Sequence, residues 1–208
     1  MTAVKSRILI VDDHPIVRLG VAAIIDAQKD MMVAGQASSG EEAIRIYDQA
    51  RPDVTLMDLR LPGVGGVQVI RAIRMRHPHA RFLVLTTYDG DEDIFQALQA
   101  GAAGYMIKGM SHEALLNGLR QILEGHVYIP SEVAARLSQR NPKSALSGRE
   151  QQVLNFLAQG KSNKAIATQL GITEATVKRH VSMILDQLEA EDRTHAVLIA
   201  LRRGLAHL

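Results

Sequence analysis

The chain has no cysteine and no tryptophan among its 208 residues, and all aromatics together reach only 3%. Without cysteine, disulfide staples and thiolate zinc sites are both excluded. So few rings argue against a protein that grips single-stranded nucleic acid by stacking bases. No run approaches the roughly 20 apolar residues of a membrane-spanning helix. The stretch Met1–Arg7 passes straight into an apolar segment, Ile8–Val11, which two aspartates cut short. It lacks the apolar region and small-residue cleavage site of a secretory signal. What is present is ordinary: 47% apolar and 22% charged residues, the usage of a folded globular chain. The length suits one large domain or two small ones. These features predict a cytoplasmic protein with no membrane partner.

Charge is divided unevenly. Residues 1–130 carry 13 Lys and Arg against 15 Asp and Glu; residues 131–208 carry 11 against 7. A slightly acidic front and a basic back place any polyanionic partner at the back.

The front half alternates two periods. Short apolar runs lie at Ile8–Val11, Met32–Ala34, Val54–Met57, Phe82–Leu85 and Tyr105–Ile107. Helical stretches fall between and after them, at about 15–27, 41–50, 66–76, 91–100 and 112–123. Uninterrupted β-branched and apolar runs read as strands buried on both faces, and their alternation with helices predicts a doubly wound parallel sheet. In the last of these helices Leu115, Leu116, Leu119 and Ile122 exceed what a core would need, so some are expected to serve a partner.

From Gly125 the pattern breaks. A helical patch, Ser131–Leu137, precedes Asn141-Pro142, a linker signal. The last 64 residues then read as four short helices. Ser147 and Glu150 have capping-box spacing, Ser162 and Thr173 stand where N-caps belong, and Gly171 supplies a turn. The domains are expected at 5–125 and 145–208, with a linker over 126–144.

The first, third, fourth and fifth strands of the front half end in polar residues: Asp12 and Asp13, Asp58, Thr86 and Thr87, and Lys108. In open parallel sheets the ligand crevice lies beyond the carboxyl ends of the strands. Carboxylates gathered there repel one another and favour a hard divalent cation such as Mg²⁺. A lysine and a hydroxyl opposite could hold phosphoryl oxygens. One strand-ending aspartate alone is more often a helix cap or turn former; four polar endings of phosphoryl-transfer type are a different matter. His77 and His79, with no third ligand, read as surface residues. Gly63-Val64-Gly65-Gly66 is no phosphate loop, because the Lys-Ser/Thr pair is missing.

The strings Ile8-Leu9-Ile10-Val11-Asp12-Asp13-His14, Leu56-Met57-Asp58-Leu59-Arg60-Leu61-Pro62-Gly63, Leu85-Thr86-Thr87 and Gly104-Tyr105-Met106-Ile107-Lys108 resemble the receiver domain of bacterial two-component response regulators. The resemblance implies a CheY-like, flavodoxin-like fold. It implies Asp58 as phosphoacceptor and a sensor histidine kinase as donor. Mg²⁺ would be held by Asp13, Asp58 and the Arg60 carbonyl, with Asp12 holding metal-bound water. Thr86 and Lys108 would contact the phosphoryl group, and Tyr105 would respond to Thr86. Two departures stand out: Gly65 replaces the usual acidic or amide residue, and Gly109 stands where many receivers have proline.

In the third C-terminal helix Val177, Val181, Ile184, Leu185 and Leu188 share one face, with Arg179 and Ser182 opposite. Two helices joined through a tight turn suit a helix–turn–helix, although a plain bundle would show the same pattern. The strings Leu146-Ser147-Gly148-Arg149-Glu150, Leu157-Ala158-Gln159-Gly160-Lys161-Ser162-Asn163-Lys164-Ala165-Ile166-Ala167, Thr176-Val177-Lys178-Arg179-His180-Val181 and Arg193-Thr194 are similar to the four-helix DNA-binding domain of the LuxR class. The whole chain thus resembles a NarL/FixJ-type response regulator. That implies double-stranded DNA as a partner, with base-facing Lys178, Arg179 and Ser182 and phosphate contacts from Asn163, Lys164, Thr176 and His180. It also implies a homodimer formed on activation. Glu189 and Asp192 depart from the glycine and asparagine common there. An aspartyl-phosphate phosphatase is disfavoured, since Arg60 occupies the place of the acid/base carboxylate two residues after Asp58. A regulator that binds DNA without phosphorylation, its receiver a dimerisation scaffold, is the alternative.

Overall fold

The structure is a computed structural model that describes residues 5–87, 90–138 and 146–206. The chain forms two compact units, mainly residues up to Ala135 and mainly residues from Arg136 onward.

The first unit carries five parallel strands in the order β2-β1-β3-β4-β5. They are β1 (Ser6–Val11), β2 (Met31–Ala37), β3 (Val54–Met57), β4 (Phe82–Thr86) and β5 (Gly104–Ile107). Five helices connect or follow them: α1 (Pro15–Asp26), α2 (Gly40–Ala50), α3 (Gly66–Arg76), α4 (Asp91–Gln99) and α5 (His112–Leu123). The three central strands are the apolar runs seen in the sequence, and β3 is buried at every position. The edge strand β2 is longer than Met32–Ala34 because only its ends, Met31 and Ala37, are buried. Its partly exposed middle does not present an apolar run. Its register against β1 slips between Ile8 and Leu9.

Helix ends follow local chemistry. Pro15, whose fixed φ suits a first turn, opens α1. Ser39 and Ser111 accept hydrogen bonds from the backbone N–H of Glu42 and Ala114. One face of the sheet is closed by α1 and α5 through a cluster that includes Ile8, Ile10, Leu56, Leu83 and Ile25. Leu115, Leu116, Leu119 and Ile122 all belong to this cluster and are at most 7% exposed. The expectation that some would remain for a partner is therefore corrected. The central sheet is deep enough to take all four.

Beyond α5 the chain does not leave the sheet at once. Tyr128 lies parallel to Gly104 on the edge of β5. Its carbonyl accepts the Tyr105 N–H at 3.0 Å and its N–H donates to Ala103 at 3.0 Å. Helix α6 (Ser131–Ser138) follows and buries Val133. Asn141-Pro142 lies outside the described residues.

The second unit contains α7 (Gly148–Ala158), α8 (Asn163–Leu170), α9 (Glu174–Leu188) and α10 (Arg193–Arg203). Ser147 and Glu150 form the expected capping box. Ser162, Thr173 and Asp192 cap α8, α9 and α10 by accepting a backbone N–H. Gly171 takes the left-handed conformation at φ 63° between α8 and α9. Val153, Leu154, Leu157, Ile166, Val177, Ile184 and Leu188 fill the core. No helix among the described residues is long and apolar enough to cross a membrane.

Candidate functional site

The ends of β1, β3 and β5 meet. Asp12 and Asp58 are each 3% exposed. The Lys108 ammonium stands 2.6 Å from Asp12 Oδ2 and 2.5 Å from Asp58 Oδ2. The sheet ladder fixes these positions: the Asp58 N–H donates to Val11 at 2.8 Å, the Asp12 N–H to Ala37 at 3.1 Å, and the Lys108 N–H to Thr86 at 2.7 Å. Residues far apart in sequence are thus aligned by backbone bonds rather than by flexible side chains. Burial presses on the Lys108 charge. The hydrogen bonds and charges of Asp12 and Asp58 outweigh it and hold the pKa above the usual lysine value.

The other carboxylate oxygens face elsewhere. Asp58 Oδ1 accepts the Arg60 N–H at 3.1 Å and Asp12 Oδ1 accepts the His14 N–H at 2.9 Å. Asp13 is exposed, and it does not cap α1. Residue His14 takes that position without a side-chain cap bond. Donor atoms of Asp12, Asp13, His14 and Asp58 lie within 4.8 Å of one another. This donor set, mostly hard oxygen, suits a divalent cation. Thr86 and Tyr105 are wholly buried. The loop after Asp58 is tight: a Cβ on Gly66 would collide with the Asp58 carbonyl oxygen. That contact gives the glycine-rich segment a packing reason. No cis peptide occurs among the described residues, and Gly109 sits at φ 101°.

Two residues of this site, His14 and Gly66, receive no role from the sequence alone. The one signal for His14 is its place directly after Asp12-Asp13. For Gly66 there is none, because closeness to a carbonyl is a tertiary fact.

On the second unit, Lys178, Arg179 and Ser182 are exposed on α9, and Lys164 is exposed on α8. Lys178 pairs with Glu174 at 3.3 Å across one helical turn, an exposed contact of small energy. Thr176 is half-buried, its hydroxyl 2.8 Å from that of Thr173. Asn163 and His180 are also half-buried. Asn163 Oδ1 and His180 Nδ1 are shielded from solvent without a hydrogen-bond partner, so part of each side chain turns away from the exposed face. His180 lies near Glu150, which is 2% exposed. Burial pushes the Glu150 carboxyl up. The Ser147 hydroxyl and N–H, the His180 charge and the Gln187 side chain together prevail and hold it below its ordinary value.

Comparison with known proteins accounts for both units. The family described as "Response regulator receiver domain" matches residues 8–120. "Bacterial regulatory proteins, luxR family" matches residues 144–200. The transcriptional regulatory protein LiaR of Bacillus subtilis is 35% identical, over 97% of this chain and 99% of its own. The response regulator protein VraR of Staphylococcus aureus is 36% identical, over 96% and 98%. Among solved structures, the response regulator ChrA of a heme-sensing two-component system shares 37% identity and a TM-score of 0.58, over 97% and 98% of the two chains. A LuxR-family response regulator from Aurantimonas sp. SI85-9A1 shares 35% identity and a TM-score of 0.63, over 65% of this chain and 97% of its own. Matched along nearly its whole length, the chain belongs to the NarL/FixJ family of two-component response regulators, transcriptional regulators that join a receiver to a LuxR-type DNA-binding domain.

Proposed function

We infer that this regulator is switched by transfer of a phosphoryl group from a sensor histidine kinase to Asp58. The observation that carries the reading is the Lys108 ammonium held between the buried carboxylates of Asp12 and Asp58. An Asp58 oxygen attacks phosphorus in the donor's phosphohistidine. The phosphorus–nitrogen bond breaks as the new phosphorus–oxygen bond forms, and the imidazole leaves with the bonding electrons. Lys108 then has a phosphoryl oxygen to pair with in place of a carboxylate. Asp12, Asp13, Asp58 and the Arg60 carbonyl would hold Mg²⁺, which when bound would supply charge neutralisation among the crowded oxygens.

Thr86 reports the new group. A shift of its hydroxyl toward phosphate opens space for the buried Tyr105 ring and biases a two-state receiver. The biased state forms a homodimer, and the dimer binds paired half-sites in promoter DNA. In that complex α9 lies in the major groove. Lys178, Arg179 and Ser182 face base edges, while Asn163, Lys164, Thr176 and His180 lie toward phosphates. The receiver is proposed to span 5–125 and the DNA-binding domain 145–208, joined by 126–144. The protein acts in the cytoplasm, where promoter DNA and the kinase's catalytic domains meet.

The test is mass spectrometry after incubation with acetyl phosphate and Mg²⁺. One phosphoryl adduct is expected on the wild-type chain and none on Asp58→Asn, whose amide is nearly isosteric but a far poorer nucleophile. A full-yield adduct on the variant would remove Asp58 as the acceptor. An adduct that leaves DNA binding unchanged would favour the phosphorylation-independent regulator.

A further inference from the structure

The first turn of α7 reaches three other helices at once. Arg149 donates to the carbonyl of Leu170, the last residue of α8, at 2.9 Å. A second bond, to Gln152 Oε1 at 2.8 Å, steadies the guanidinium on its own helix. Glu150 is 2% exposed and accepts the Ser147 N–H at 2.7 Å. It also accepts a hydrogen bond from the side chain of Gln187, in the last turn of α9. Gln151 donates to the Leu205 carbonyl, just beyond α10. Consecutive side chains thus hold the C-terminal ends of α8, α9 and α10 in chain order.

The placement controls an angle. Only Gly171, Ile172 and Thr173 separate α8 from α9, so the two helices share a pivot at the turn. Arg149 holds α8 beside that pivot. Glu150 holds α9 at Gln187, about 20 Å along the axis from Glu174 at roughly 1.5 Å per residue. Apolar contacts at Val177, Ile184 and Leu188 give α9 adhesion without direction. Hydrogen bonds are directional, and buried polar ones select one arrangement among those that pack equally well. The Leu170 carbonyl, at a helix C-terminus, lacks an intrahelical donor and suits an arginine.

We propose that Arg149 and Glu150 are positioning residues for DNA recognition: they fix the angle between α8 and α9, and through it the base edges that Arg179 and its neighbours meet. This deepens the reading of α9 as the helix in the major groove and rests on it. Neither residue touches DNA itself.

The experiment uses the full chain with beryllofluoride and Mg²⁺, as wild type, Arg149→Met, Arg149→Lys, Gln187→Met and Gln151→Ala, each held below its melting transition. Base preference is read by site selection, and affinity for selected and unrelated DNA by salt titration. Arg149→Met and Gln187→Met should each lose about tenfold on wild-type sites, the scale of one lost base contact, and shift preference at several positions. Their affinity for unrelated DNA should stay within about twofold, with an unchanged salt slope, because no phosphate contact is removed. Arg149→Lys keeps a donor for Leu170 and should recover most of the preference. Gln151→Ala releases only the end of α10 and should select the wild-type sites. If Arg149→Met and Gln187→Met melt earlier yet select wild-type sites, the proposal is overturned and the contacts serve stability alone. A salt slope lowered by roughly 1 in Arg149→Met, with preference intact, would make Arg149 a phosphate contact and equally overturn it. So would a preference altered as much in Gln151→Ala as in the other two. A wild-type chain that selects no sequence would instead overturn the reading of α9, and the proposal with it.

Discussion

The two units place their chemistry in opposite ways. In the receiver, charged groups from three strands converge where water is scarce, and each depends on the others. Asp12 and Asp58 are each 3% exposed, with Lys108 between them. On the second unit the residues proposed to read DNA, Lys178, Arg179 and Ser182, are all exposed on one helix. A buried convergent site couples function to stability, because removing one member leaves the others unpaired. An exposed face separates the two, because its side chains contribute little to folding. The receiver is therefore suited to switching and the helix face to reading sequence.

The strongest challenge to this contrast is Lys108→Met. It leaves two carboxylates facing each other in a buried crevice and should destabilise the receiver by about 3 kcal/mol, the lower end for breaking a buried pair. Urea denaturation in the presence of chelator is the measurement. Added Mg²⁺ should recover part of the loss. A cost no larger than that of an ordinary surface substitution would mean the crevice is less coupled than its distances imply.

Arg179→Ala tests the other side. Stability should stay within about 0.5 kcal/mol of wild type, while binding at the cognate site falls by about 1–3 kcal/mol and base preference relaxes at one position. Lys164→Ala should weaken all sequences alike and lower the salt slope by roughly 1. Site-selection sequencing with salt titrations distinguishes them. If Lys164→Ala alters base preference and Arg179→Ala does not, the helix is rotated in the groove from the orientation proposed.

Glu150 is the exception within the second unit, a buried carboxylate that should behave like a receiver residue. Its folded pKa is lowered by the Ser147 bonds and the His180 charge against the opposing effect of burial. Its stabilisation is then present above the unfolded value near pH 4.3 and lost as pH falls through the lowered folded value. Glu150→Gln should cost about 1 kcal/mol at neutral pH, and the gap from wild type should close in acid. Amide exchange in α7 of the full chain follows it. A gap that widens below pH 4 would contradict the sign.

The smallest effect is a gain. Glu189 closes α9 at φ 53°, a left-handed conformation unfavourable for a side chain with a Cβ. Glu189→Gly should stabilise the second unit by up to about 1 kcal/mol, read as a higher denaturation midpoint, without altering DNA preference.

Much of the fold is legible in the sequence because its signals are local. The apolar runs of β1, β3 and β4 and the caps Ser147, Ser162 and Thr173 need no knowledge of neighbours. The convergence of Asp12, Asp58 and Lys108 is legible once the strands are seen as parallel, since topology then brings their ends together. What escapes depends on packing. The length of β2 is hidden by its exposed middle. The burial of all four apolar residues on α5 depends on the depth of the sheet. The docking of Tyr128 on β5 replaces the early part of an expected break with an edge pairing. The shielding of His180 Nδ1 from solvent cannot be read from α9 alone.

The coupling of the two units is tested most directly by DNA binding of the full chain with and without beryllofluoride and Mg²⁺, read by site selection on genomic fragments and by affinity for the selected sites. The phosphoryl mimic should raise affinity by about tenfold or more, the order of a 1–3 kcal/mol coupling, and Asp58→Asn should show no response. Equal affinity in both conditions, with the mimic demonstrably bound, would contradict a receiver that controls DNA binding.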